Sequence, residues 1–302
     1  MTHENAGGSG PGAGGLRPYL KLLRPHQWVK SGFVLVGLLF GHAWGDTQLV
    51  VRVLFALAAF SLSASAIYVI NDLADREQDR AHPSKRHRPL AAGTVSTTQA
   101  LLLAGACLLA ALMLAYAASA TVLAIIVGYT LLNVGYTLGL KHIVLLDVFI
   151  ISAGFMLRIL AGTLGVGIAP SHWLLLCGLM ITLFLGFAKR RAELAALDGR
   201  GASHRQVLSD YDPALLDMLI GISAAGAIVN YSLYTVSPET VAMHGTSHLI
   251  YSVPFVVYGV FRYLFLLHRR GGGGDPAAAL LRDPHLIGAF LGWLLTVLWL
   301  LR

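Results

Sequence analysis

Residues 71–89 read NDLADREQDRAHPSKRHRP, a densely charged run in a chain that is otherwise mostly apolar. Four of the fifteen acidic residues fall within eight positions, and Lys85, Arg86 and Arg88 follow just behind them. Carboxylates beside a basic run are the side chains that hold a metal and an anion together. The bland alternative is a polar loop between two apolar segments. The rest of the chain has to decide between them.

Hydrophobic residues make up 56% of 302 positions and charged residues 12%, against roughly 25% charged in an ordinary soluble domain. Mean hydropathy is +0.68. Long apolar segments recur from Trp28 to Leu301 with no soluble-looking block between them, so the expected fold is an all-α polytopic membrane protein. Residues 1–15, MTHENAGGSGPGAGG, are too rich in glycine and polar residues to bury apolar surface and read as a disordered tail, without the apolar core of a signal peptide. Residues 16–302 read as one transmembrane catalytic domain. Cys107 and Cys177 both sit in apolar runs, where cysteine behaves as a small hydrophobe, so neither a disulfide nor a zinc site is implied.

Residues 16–27 pattern as a basic amphipathic helix at the headgroup level, ended by Pro25. Apolar spans follow at 28–44, 48–70, 97–116, 121–140, 145–164, 172–194, 215–236, 249–268 and 284–301, which predicts nine transmembrane helices. Threaded that way, the N-terminal segment shares a side with the loops at 71–96, 141–144, 189–213 and 269–283, and these hold nearly all the lysine and arginine. By the positive-inside rule that side, and the N-terminus with it, is cytoplasmic, which places the protein in the cell's cytoplasmic membrane. The formal charge of +7 then reflects topology and not nucleic-acid binding. Small-residue patches such as AGACLLAA at 104–111 pack helices either within one chain or between chains, so a homo-oligomer stays open.

Asn71, Asp75 and Asp79 are spaced i, i+4, i+8, and Asp72 falls three before Asp75. On a helix all four project within a sector about 100° wide. Hard oxygen donors grouped in this way suit Mg²⁺, which takes one or two carboxylates plus substrate phosphates. Pro83 cannot continue a helix, so the segment after it is expected to bring Lys85, Arg86 and Arg88 back over the carboxylates. A loop obeying only the positive-inside rule gives no reason for acids at helical spacing.

A second cluster, AKRRAEL, lies at the inner end of the sixth expected span. Lys189 and Glu193 are i, i+4, so either they form an ordinary salt bridge or Lys189 and Arg190 are phosphate ligands. Lys30 and Lys141 are single basic residues at span ends, which commonly snorkel. Asp147 and Arg158 lie eleven residues apart on nearly one face of the fifth span, either as a buried ion pair or as functional groups facing the bundle interior. Tyr129, Asn133 and Tyr136 form a further polar stripe.

The run NDLADREQD resembles the NDxxDxxxD motif of the UbiA superfamily of intramembrane prenyltransferases, which implies a nine-helix bundle around a cavity with a lateral route for lipid. The superfamily usually has a second acidic motif where AKRRAEL stands. In that departure, and in RPHQWVK, YVINDLADREQDRAHPSKRHRPLAAG, LKH, LRILAG and FRYLFLLH, the chain is similar to the decaprenyl-phosphate phosphoribosyltransferase branch. The resemblance implies transfer of phosphoribose from phosphoribosyl pyrophosphate to a polyprenyl phosphate with release of pyrophosphate. It makes Asp72, Asp75, Asp79 and Lys189 the catalytic set, with Mg²⁺ held by Asn71, Asp72, Asp75 and Asp79. Lys85, Arg86 and Arg88 would grip donor phosphates, Lys189, Arg190 and Lys30 the other phosphate groups, and Glu193 would orient Lys189 or meet ribose hydroxyls. Tyr136, Lys141 and Arg158 complete the expected substrate-binding set. The rival expectation is a UbiA-type transfer of a polyprenyl group to an aromatic acceptor; a transporter would instead place charges along a midplane path.

Overall fold

The computed structural model describes residues 15–41, 43–83, 85–197, 208, 210–270 and 282–302, so the expected tail lies outside the described residues except for Gly15. All regular structure among the described residues is helical. A short helix α1 (Arg17–Leu23) ends on Arg24, whose left-handed backbone (φ 51°) is uncommon for a residue other than glycine. A 3₁₀ segment, Pro25–Leu35, and a five-residue helix α2, Val36–Phe40, follow. Asp46 then caps α3 (Thr47–Ala74) by accepting from the backbone N–H groups of Gln48 and Leu49. After α4 (Arg76–Ala81), a capping box of Ser96 and Gln99 opens α5 (Thr97–Ala118). Ser119 separates it from α6 (Ala120–Leu138) and caps the latter. The bundle is completed by α7 (Leu146–Gly162), α8 (His172–Leu197), α9 (Pro213–Val236), α10 (Pro238–His244), α11 (Val253–Arg270) and α12 (Pro284–Leu300).

Lipid tails are as apolar as these helices, so helices associate here by close packing and internal hydrogen bonds rather than by expelling water. Alanines serve that purpose along α3 and α5, where Ala56, Ala59, Ala66, Ala100, Ala104, Ala111 and Ala115 are buried. A second core lies between α8, α9 and α11 around Phe184, Leu216, Ile220 and Tyr263. Hydroxyl pairs pin neighbouring helices at depth: Ser63 with Thr130, and Ser152 with Thr182.

The expectation of nine transmembrane helices is corrected to seven long apolar ones among the described residues: Thr47–Ala74, Thr97–Ala118, Ala120–Leu138, Leu146–Val166, His172–Ala195, Pro213–Val236 and His248–Arg269. The final helix, Pro284–Leu300, has 17 residues and is too short to join them. The first expected span is not a long α-helix at all. Arg24 touches Asp72 at one end of α3 and Asp46 caps the other, so the chain between them runs beside α3, as a 3₁₀ segment of 11 residues and the short α2. A 3₁₀ helix rises about 2.0 Å per residue against 1.5 Å for an α-helix, and hydropathy does not distinguish the two.

This segment packs on α7 backbone to backbone. A Cβ added at Gly162 would lie 1.7 Å from the Val34 carbonyl oxygen, and one at Gly37 would lie 1.9 Å from the Gly162 oxygen. Rigid main chain cannot move aside as a side chain does. Gly162→Ala is expected to cost about 3 kcal/mol or more by overpacking, read as a large fall in melting temperature of the detergent-solubilised protein. Gly105 on α5 has nothing within 4 Å of its Cβ position, and Gly105→Ala is expected to change stability by no more than about 1 kcal/mol, in the stabilising direction.

Candidate active site

Helix α3 carries Asn71 and Asp72 to its C-terminal end, and the chain stays nearly helical into α4. The Asp75 N–H reaches the Asn71 carbonyl at 2.9 Å, and the Asp79 N–H reaches that of Asp75 at 2.8 Å. His82, extended before Pro83, ends α4. The chain then returns through a 3₁₀ turn at Lys85–His87 and lays Arg88 across the acids. Arg88 Nη1 donates to Asp72 Oδ1 at 3.0 Å and to Asp79 Oδ2 at 2.7 Å. Of the expected basic trio only Arg88 makes this contact; Lys85 and Arg86 are exposed.

Sequence reasoning missed Arg24, whose Nη2 also donates to Asp72 Oδ1, at 2.6 Å. Its guanidinium lies 5.0 Å above the Tyr68 ring. The left-handed turn at Arg24 aims it there, and Ser65, which donates to Leu23 O and accepts from Trp28 Nε1, braces that turn against α3. Nothing in the pattern of a headgroup helix distinguishes Arg24 from Arg17 or Lys21. Asp75 and Asn71 each have a partner from around α6. Asp75 Oδ1 pairs with Lys141 Nζ at 3.3 Å, and Asn71 Oδ1 accepts from the Thr137 hydroxyl.

The AKRRAEL cluster divides. Arg190 is 1% exposed and faces inward, its Nε 2.6 Å from the fully buried Asp147 and its Nη1 on Glu193, with Tyr136 OH at 3.4 Å. The buried pair is therefore Asp147 with Arg190, not Asp147 with Arg158. Lys189, 44% exposed, faces out, 3.9 Å from Glu193. Lys30 is half-buried on the 3₁₀ segment. Tyr211, also missed, donates to Asp147 at 2.7 Å and accepts from the Leu145 N–H at 2.8 Å. Burial pushes the Tyr211 phenol well above its ordinary pKa, with the bond to Asp147 acting in the same direction. Leu145 has φ 67°, a strained value held by that bond. The adjacent residues Tyr136 and Thr137 touch Arg190 and Asn71, so the end of α6 stands between the two charged clusters.

Arg158 is 6% exposed, donates to Gly154 O and Tyr129 OH, and lies among the rings of Phe60, Tyr129 and Phe155. Its Nε has no hydrogen-bond partner. None of these contacts is with the acidic cluster.

Among the described residues no three Asp, Glu, His or Cys side chains converge as a metal cage. Asp72 and Asp79 nevertheless direct one oxygen each at a single cationic nitrogen. Two hard carboxylate donors around one positive centre fit Mg²⁺, which completes its shell with water and phosphate.

The UbiA prenyltransferase family model matches residues 31–291. The chain belongs to this family. It is 33% identical over 308 residues to the decaprenyl-phosphate phosphoribosyltransferase of Mycolicibacterium smegmatis, covering 98% of this chain and 96% of the relative. Against the enzyme of the same name from Corynebacterium glutamicum identity is 35% over 286 residues, covering 92% and 85%. Among solved structures, a UbiA homolog from Archaeoglobus fulgidus bound to GPP and Mg²⁺ superposes with a TM-score of 0.67 at 19% identity, covering 94% of this chain and 98% of that one. That likeness establishes the UbiA-type helical bundle for this family member.

Breaking one partner out of a buried ion pair costs about 3–5 kcal/mol, so Arg190→Leu is expected to lower the melting temperature sharply. Tyr211→Phe, which removes both the bond to Asp147 and the acceptor of the Leu145 N–H, is expected to cost about 1–3 kcal/mol. An Arg190→Leu protein that melts normally but loses phosphate affinity would return Arg190 to the ligand set.

Proposed function

We propose that this UbiA family member transfers 5-phosphoribose from phosphoribosyl pyrophosphate to a polyprenyl phosphate, releasing pyrophosphate, at the cytoplasmic face of the membrane. The observation that carries the reading is identity of 33% and 35% over nearly the whole chain to two decaprenyl-phosphate phosphoribosyltransferases. The basic α8 end supports it, since two phosphorylated substrates must meet in one mouth. The orientation rests on the lysine and arginine gathered at that end of the bundle.

In this reading Asp72 and Asp79, with Asn71 and Asp75 beside them, would hold Mg²⁺. When bound, the ion would supply positive charge for the leaving pyrophosphate. Arg88 reaches the same mouth and donates to phosphate oxygens, with Arg24 held on Asp72, while Lys85 and Arg86 extend the basic rim. Lys141 and Lys189, on opposite sides of the α6 end, neutralise the remaining phosphate groups. Arg190 acts through Glu193, fixing a carboxylate at the edge of the site for Lys189 or a ribose hydroxyl. As the bond from ribose C1 to pyrophosphate breaks, its electron pair leaves with the pyrophosphate, and a lipid phosphate oxygen forms the new bond to C1. That oxygen is already anionic near neutral pH, so the chain's task is to place it in line with C1 rather than to remove a proton. Arg158, deep on α7, is assigned to the substrate cavity wall through its aromatic neighbours.

Purified protein given Mg²⁺, labelled phosphoribosyl pyrophosphate and a polyprenyl phosphate is expected to release pyrophosphate and yield lipid-linked label. Absence of both from folded protein would refute the assignment, and activity with a prenyl diphosphate and an aromatic acid would establish the rival transfer. Asp79→Ala is expected to lower kcat at least about a hundredfold in protein that still folds, with a lower melting temperature because Arg88 loses one of its two carboxylates, and chelation of divalent ions is expected to abolish turnover. Lys189→Ala is expected mainly to raise KM; unchanged kinetics would leave it a surface salt bridge.

A further inference from the structure

Arg88 does more than line a mouth. One of its nitrogens bridges two carboxylates whose side chains are each only 4% exposed, at 3.0 and 2.7 Å. Arg24 takes the same Asp72 oxygen from the other side at 2.6 Å. Two acids and two guanidinium groups make a neutral set. A divalent ion held by the two oxygens that face each other here, Asp72 Oδ1 and Asp79 Oδ2, would take the position that Arg88 Nη1 fills.

Charge balance then sets the order of events. A metal ion entering alone either expels Arg88, leaving a guanidinium without its partners, or joins it and leaves two uncompensated positive charges beside buried groups. Each alternative opposes binding. A diphosphate arriving with the metal removes both difficulties, because its oxygens accept from the displaced guanidinium and its charge offsets that of the ion. The geometry allows the exchange. Arg88 is 29% exposed and sits on the returning turn, held by backbone bonds to Lys85 and Ala92, whereas Asp72 and Asp79 are fixed on α3 and α4. Arg24, stacked on Tyr68, remains on Asp72 when Arg88 leaves.

We propose that Arg88 is the resident counter-ion of the acidic site: it fills the cation position between Asp72 and Asp79 until a metal–diphosphate arrives, then passes to the phosphates. Free metal therefore binds weakly, and diphosphate recruits it. The inference rests on the reading above that a metal–diphosphate binds here, and it adds that an arginine holds the metal's place.

The test is titration of the full-length protein in detergent with Mn²⁺ alone, followed by electron paramagnetic resonance of the free ion. Removing a residue from a binding site ordinarily weakens binding. Here Arg88→Gln is expected to bind Mn²⁺ at least about tenfold more tightly than the wild type, within the usual range of coupling between two ligands, while losing affinity for phosphoribosyl pyrophosphate. Arg88→Lys, with a single nitrogen on a flexible stem, is expected to fall between the two and serves if the glutamine variant does not fold. Equal or weaker Mn²⁺ binding in the folded variants overturns the proposal, as does tight Mn²⁺ binding by the wild type. Wild-type phosphoribose transfer measured on the same preparation separates the two ideas. Transfer with no gain in the variants defeats the counter-ion role alone, and a gain without transfer defeats the assigned reaction alone.

Discussion

Asp72 Oδ1 receives guanidinium nitrogens from two parts of the chain 64 residues apart, Arg24 and Arg88. A carboxylate that is 4% exposed at the end of a membrane helix cannot stay charged without such partners. That requirement ties α1, α3 and the returning turn into one corner, and the bond from Lys21 Nζ to the His87 carbonyl joins the same pieces a second time. The corner is therefore a set of balanced charges rather than a loop that happens to be polar.

A second set of paired charges does comparable work on the other side of α6. Arg190, Asp147, Glu193 and Tyr211 fasten α7, α8 and the chain before α9, and they hold Leu145 in its strained backbone. With Tyr136 on one set and Thr137 on the other, a shift of α6 is felt at both. The two substrates would thus meet between rigid walls, which is what a reaction governed by positioning requires.

The acidic run and its helical spacing were legible because a helix has a fixed angular period, and the fold-back of the basic segment because proline ends a helix wherever it stands. Membrane spans were legible where α-helices were long. Residues 25–35 form a tighter 3₁₀ helix and only 36–40 an α-helix, and hydropathy, blind to that difference, reads 28–44 as one transmembrane helix. The partners of charged residues were not legible. Nothing in AKRRAEL says that Arg190 turns inward while Lys189 turns out, because that depends on Asp147 arriving from α7. Of the two readings of Arg158, an ion pair with Asp147 or a functional group facing the interior, the pair is not made: aromatic rings from α3 and α6, with Phe155 of α7, surround the guanidinium. Contacts between distant segments follow from packing, and packing leaves no period in the sequence.

The most direct measurement is a structure of the protein with Mn²⁺ and phosphoribosyl pyrophosphate, the ion located by its anomalous scattering. Mn²⁺ is expected between Asp72 and Asp79, the Arg88 guanidinium moved onto the diphosphate, and Arg24 still on Asp72. An ion bound elsewhere, or Arg88 still bridging the two carboxylates with the donor in place, would contradict it.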